Sequence, residues 1–143
     1  MSRAPLSLER YFYTRIHIEA NREFTDKDAR KGAIDLDVNV RVSVLKNKDD
    51  PELYQLVLAT NRLDAKEGRL PYIIDAEVVG VFRLDPAFKH DDRENLVRNN
   101  GASILYGALR EYLLMLTGRG PWGEFQLPTI SFLHPAESKK SKV

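Results

Sequence analysis

The stretch ASILYGALREYLLMLT, residues 102–117, decides the fold when it is read as one helix. Gly118 is placed to end it and Pro121 to prevent a restart. Asn99, Asn100 and Ser103 offer side-chain oxygens to the orphan N–H groups at its start. Stepping about 100° per residue, Ile104, Met115, Ala108, Tyr112, Leu105, Leu116, Leu109, Leu113 and Tyr106 fill an arc of about 200°. A helix lying on one sheet needs an apolar stripe only a little over ~100° wide. One sheet from one chain cannot cover the arc, so a second body is expected on the other side, most simply another copy of the same helix. Leu105, Leu109, Tyr112, Leu113 and Leu116 are the expected oligomer interface.

The segments before the helix supply the sheet. Pro71 to Leu84 places Tyr72, Ile74, Ala76, Val78, Phe82 and Leu84 on one face, with Ile73, Asp75, Glu77 and Arg83 opposite. Leu53 to Leu63 forms another strand, bounded by turns at 47–51 and 66–69. From Ile34 to Val44 the even positions are apolar and the odd ones polar, which predicts a single half-buried strand. Glu9 to Ala20 also alternates, with Phe12, Ile16 and Ile18 sharing a face. Residues 21–33 make a long polar connection whose one aromatic is Phe24, and residues 85–101 read as loop with a helical turn near Glu94–Val97. The expected fold is α+β: a four-stranded antiparallel sheet with one long helix packed on one face. Residues 1–8 read as a flexible leader, 9–132 as a single domain and 133–143 as a disordered basic tail.

Composition narrows the function. The 143 residues suit one domain with a real core. A net charge of +1 gives no electrostatic case for nucleic acid. Cysteine is absent, which removes disulfides, thiolate nucleophiles and Cys-ligated metals and suits the cytoplasm. No signal peptide is visible, and no apolar run reaches the ~20 residues that insert across a bilayer.

Catalytic chemistry needs groups that converge. His17 lies on the polar side of a strand, His90 in a charged loop and His134 in the tail. HExxH, GxSxG and phosphate-cradling glycine loops are absent from the sequence. Asp35 and Asp37 point the same way but read as a solvated strand face, and His90-Asp91-Asp92 as surface charge rather than a metal site. Lys139, Lys140 and Lys142 read as a solubilising run. No catalytic residue, cofactor or metal is expected. Trp122 and Phe125 follow the helix in a Gly/Pro loop and have two readings. They staple the loop to the core, or they line a groove for apolar side chains beside the helix–sheet seam.

The segment SILYGALREYLLMLTGRGPWGEFQLPTISF resembles the C-terminal half of SecB, the bacterial protein-export chaperone. The shared features are Ala108-Leu109-Arg110-Glu111, the Arg119-Gly120 turn, an aromatic at Trp122 and the ending at Phe132. Tyr13-Thr14, Ile16 to Ala20, Ile34 to Asp37, Tyr54 to Leu58 and Gly80-Val81-Phe82 agree in order, so the resemblance spans residues 9–132. It implies a SecB-like tetramer of stacked dimers that holds unfolded clients, such as preproteins, in apolar grooves without ATP. Phe24, Ile34, Leu36, Trp122 and Phe132 would line or border the groove. Glu19, Ile73 and Asp75 match part of the patch on which the export motor SecA docks. Three departures stand out: a missing acidic partner near Arg15, Asp28 in place of a family aromatic, and HPAESKKSKV in place of the family's second helix. SecB-like proteins also serve toxin–antitoxin systems, where the client is an antitoxin. The competing reading without chaperone activity is an oligomeric scaffold for one folded partner.

Overall fold

The computed structural model describes residues 4–32, 36–65, 69–88 and 93–132. Its elements are β1 (Leu6–Ala20), α1 (Asp26–Arg30), β2 (Leu36–Asp37), β3 (Val40–Lys46), β4 (Leu53–Thr60), β5 (Asp64–Ala65), β6 (Tyr72–Leu84) and α2 (Arg93–Thr117). Four strands form an antiparallel sheet in the order β1-β6-β4-β3, and α2 packs across one face. This is the α+β layer fold that the alternation and the long helix predict. The short β2 and β5 pair with each other as a separate ribbon.

Period-two patterning explains the core. On the helix side β6 buries Tyr72, Ile74, Ala76, Val78, Phe82 and Leu84, and β4 buries Tyr54, Leu56, Leu58 and Thr60. Val40, Val42 and Val44 of β3 pack against this cluster from the sheet edge. Above them the buried helix positions Val97, Gly101, Leu105, Leu109, Leu113 and Thr117 recur every fourth residue. Four residues turn a helix by about 400°, so this row advances about 40° per step and winds around α2 as it crosses the twisted sheet.

Several sequence expectations need correction. The helix begins at Arg93, so residues 93–101 are not loop, and Asn99, Asn100 and Ser103 lie inside it rather than at its start. Ser103 Oγ instead donates to the Asn99 carbonyl at 3.1 Å, as interior serines do. Gly101, in the stretch expected to be loop, sits where an added Cβ would lie 2.8 Å from Leu56 Cδ2. Its missing side chain lets the helix approach the sheet. The Ile34–Val44 alternation is likewise not one strand, because β2 and β3 join different sheets. Alternation reports which face a side chain takes, not which strand its backbone bonds to. The next predicted strand ends at Thr60, not Leu63.

β1 starts at Leu6, inside the predicted leader, and its register breaks at Leu8/Arg10 and Tyr13/Arg15. Each one-residue break moves the following side chains to the other face. Phe12 therefore pairs with Val79 on the outer face, while Ile16 and Ile18 pair with Ala76 and Ile74 on the helix side. The polar connection contains α1, opened by a capping box in which Thr25 N–H donates to Asp28 Oδ2 at 2.9 Å and Asp28 N–H to Thr25 Oγ1 at 3.3 Å. The Thr25 amide is the main reason the Asp28 carboxyl titrates below its ordinary value. α1 buries none of its own residues, and Asp28 serves its start through the capping box.

Candidate functional site

Trp122 and Phe24 meet where the C-terminal end of α2 passes the 21–32 connection. Their ring centroids are 4.7 Å apart at 73°, an edge-to-face contact. Phe24 is only 6% exposed, and Trp122 is half-buried against the core. The connection is tied down by Asn21 N–H to the Pro71 carbonyl at 2.8 Å and by Arg69 Nη1 to the Glu23 carbonyl at 2.8 Å. Leu36 is half-buried and packs on the same core. The trailing segment then runs back along α2. Arg110 Nε donates to the Leu127 carbonyl at 2.9 Å, and Tyr106 Oη donates to the Pro128 carbonyl at 2.6 Å. Phe132 lies edge-on to Tyr106 at 5.7 Å.

Of the five expected groove residues, Phe24 and Trp122 thus touch, Leu36 joins the same core, and Phe132 belongs to a second aromatic contact on Tyr106. Ile34 lies outside the described residues. Phe125 is buried beside Tyr72 and staples the loop, whereas Trp122 keeps part of its surface open.

The expected oligomer residues also divide. Leu105, Leu109 and Leu113 are fully buried on the chain's own sheet, so they offer no surface to a second body. The wide arc combines this core row with an open apolar sector: Ile104 and Leu116 are 40% exposed and Met115 is 67% exposed. Tyr112 joins the sector to β1, stacking on Tyr13 at 4.6 Å and 25°. Tyr11 and Ile16, on the same side of β1, are also exposed. The outer edge of β1 has no strand partner among the described residues.

On the outer face the register sets Glu19 beside Ile73 and His17 beside Asp75. The carboxylates there already have partners. Arg15 Nη2 lies 3.0 Å from Asp75 and Nη1 lies 3.7 Å from Glu77, while His17 Nε2 is 3.2 Å from Glu19. His90, Asp91, Asp92 and the tail lysines lie outside the described residues, as do Asp35 and the side chain of Asp37. Among the described residues no three potential ligand side chains gather as a metal site would require. No helix among them is long and apolar enough to cross a membrane.

Sequence reasoning placed Tyr72 and Tyr13 without asking where their hydroxyls go. Tyr72 Oη meets three backbone groups, whereas Tyr13 Oη is shielded from solvent with no hydrogen-bond partner among the described residues. The available signal covers Tyr72 alone: a buried tyrosine needs a partner for its hydroxyl, and alternation sets Tyr72 on the buried face, whereas a strict period of two leaves Tyr13 on the side of Arg15 and His17.

No protein-family model and no curated protein sequence matches the chain. Among solved structures, the Mycobacterium tuberculosis Rv1957 SecB-like chaperone, in complex with a ChAD peptide from the Rv1956 HigA1 antitoxin, superimposes with a TM-score of 0.67. The match covers 88% of this chain and 91% of that one, at 15% identity. A protein of unknown function from Streptococcus agalactiae matches with a TM-score of 0.48 and 14% identity, over 87% of this chain and 97% of that one. The fold is SecB-like.

Proposed function

We propose that this protein is an ATP-independent chaperone that holds non-native polypeptide segments in apolar grooves, and that its client class is an antitoxin-type peptide. The observation that carries the reading is the half-open Trp122 set edge-on against Phe24 beside the helix–sheet seam, in a SecB-like frame. Such a surface accepts aromatic and aliphatic side chains without demanding one sequence. The structural relative that carries an antitoxin peptide supports the choice of client.

A general hand-off to the export motor is the second reading. The pairing of Arg15 with Asp75 and Glu77 weighs against it, because a basic docking element would have to displace an internal cation. The protein works in the cytoplasm as an oligomer, with the open sector of α2 and the free edge of β1 covered by further copies. Two stacked dimers would cover both.

The test is suppression of aggregation of an unfolded protein at stoichiometric amounts. Suppression by the wild type and its loss in Trp122→Ala, with an unchanged melting temperature, are the expected results. No suppression by the wild type removes the holdase reading in favour of a scaffold for one folded partner. A toxin–antitoxin pair beside the gene would point to the client. Affinity should grow with client length as several grooves are engaged at once.

A further inference from the structure

We infer that the Tyr72 hydroxyl is the positioning group of the candidate groove, a single buried oxygen that fixes the backbone of Trp122 and so holds the indole against Phe24. Its consequence for client binding rests on the chaperone reading above; the positioning itself does not.

Tyr72 is the first residue of β6 and is buried on the helix side, which sets its ring beneath the C-terminal end of α2. Its oxygen donates to the Gly123 carbonyl at 2.8 Å and accepts the Trp122 N–H at 3.1 Å. The Thr117 carbonyl is a longer alternative acceptor at 3.3 Å. A phenol has one proton to give and lone pairs to receive, so both capacities are used. The two bonded groups bracket the Trp122–Gly123 unit, and their convergence on one atom fixes the dihedral angles between them. Holding the amide and the following carbonyl sets the direction of the Trp122 Cα–Cβ bond, and the edge contact with Phe24 then selects the indole's rotamer.

Two further features belong to the same arrangement. An added Cβ at Gly120 would stand 2.3 Å from Tyr72 Oη, so the loop passes over the hydroxyl only because residue 120 has no side chain. Thr117 supplies a second buried hydroxyl, donating to the Leu113 carbonyl at 2.7 Å and accepting the Phe125 N–H at 2.8 Å. The loop is therefore held on both sides of Trp122. Around the indole, Arg119 and Pro121 are exposed, so the backbone clasp, Phe24 and the edge of the core against which the ring packs are what place it.

Trp122 is the sole tryptophan, so its emission reports on this position alone. In the wild-type protein the Trp122 amide should be protected from hydrogen exchange. Exchange at the rate of an open loop overturns the proposal without any variant. Tyr72→Phe should shift the emission to the red and raise acrylamide quenching while helical circular dichroism is retained. Tyr106→Phe, which removes a comparable hydroxyl-to-loop bond at Pro128, should leave the emission unchanged. If Tyr72→Phe does not fold, Gly120→Ala is read by the same emission.

Unchanged emission in a folded variant refutes the clasp. A fluorescein-labelled peptide rich in Phe and Leu, followed by anisotropy, should bind Tyr72→Phe roughly five- to tenfold more weakly than the wild type. Equal affinity despite a shifted emission breaks the link to client binding. Failure of the wild type to bind any such peptide would sink the groove reading, while exchange and emission would still decide the clasp.

Discussion

The two flanks of α2 end differently. On the side of the trailing segment, every buried tyrosine hydroxyl is bonded: Tyr72 to the loop around Trp122, and Tyr106 to Pro128. On the β1 side, Tyr13 stacks on Tyr112 with its hydroxyl unbonded, and Tyr11, Ile16, Met115 and Leu116 stay exposed around it. The first flank is complete within one chain. Among the described residues the second has an unbonded polar atom, an open apolar sector and an unpaired strand edge, the condition of a surface that a second body finishes. The chain thus separates a finished flank that shapes the candidate groove from an unfinished one that would join copies.

The largest effect tests the boundary between core and open sector. Leu109→Ala removes a fully buried side chain and should cost about 2–5 kcal/mol, read as a lower melting temperature and denaturation midpoint. Leu116→Glu should leave the fold intact, because the side chain is 40% exposed, and should lower the particle mass in light scattering if copies join there as proposed above. A wild type that is already monomeric and well folded at micromolar concentration would erase the distinction between the flanks.

Tyr106→Phe is the next in size. The lost bond leaves the Pro128 carbonyl without its donor, at a cost of about 1–3 kcal/mol. Phe132 should loosen with it, since its ring rests on Tyr106. Denaturant titration measures the cost, and faster proteolysis near residue 128 would locate it. Equal stability of variant and wild type would mean that water replaces the donor and that this flank is less complete than its bonds suggest.

What could be read in the sequence follows the same division. Strand alternation in β6 was plain because it buries one full face on the helix, whereas β4 was read as a strand without it and drawn three residues too long. The long helix was evident from Ala102 onward but hidden before it, where Asn99 and Asn100 read as caps and Gly101 in fact packs closely on Leu56. Its apolar arc misled in one respect. The core row winds around the helix, so Leu105, Leu109 and Leu113 were assigned to a partner although the chain's own sheet covers them. The bulges of β1 were invisible to a strict period of two and turned Phe12 to the other face. Within the candidate groove, Phe24 and Trp122 stood out as isolated aromatics. The Tyr72 hydroxyl that places Trp122 did not, because its partners are backbone groups about 50 residues away, beyond any local pattern.

The smallest expected effect is that of Tyr13→Phe, and its value lies in where it appears. At neutral pH the variant should be at least as stable as the wild type, since an unbonded buried hydroxyl carries a desolvation cost and no compensating bond. A loss above about 1 kcal/mol would show that the hydroxyl finds an acceptor on a second copy. At high pH the variant should separate from the wild type. Burial, with smaller contributions from Tyr11 and Tyr112, pushes the Tyr13 hydroxyl up from 10.0 to about 12. Burial likewise pushes Tyr106 up to about 12. Below pH 10 folded and unfolded chains both keep these protons, and the contribution of each group is fully present. Between pH 10 and about 12 the unfolded chain releases protons that the folded chain retains, so stability falls with rising pH until the folded groups titrate as well. Denaturation midpoints across that window should fall less steeply for Tyr13→Phe than for the wild type, and least steeply for the double variant with Tyr106→Phe. Parallel curves for wild type and Tyr13→Phe would show that the hydroxyl reaches water, and that the β1 flank is more open than its packing against Tyr112 indicates.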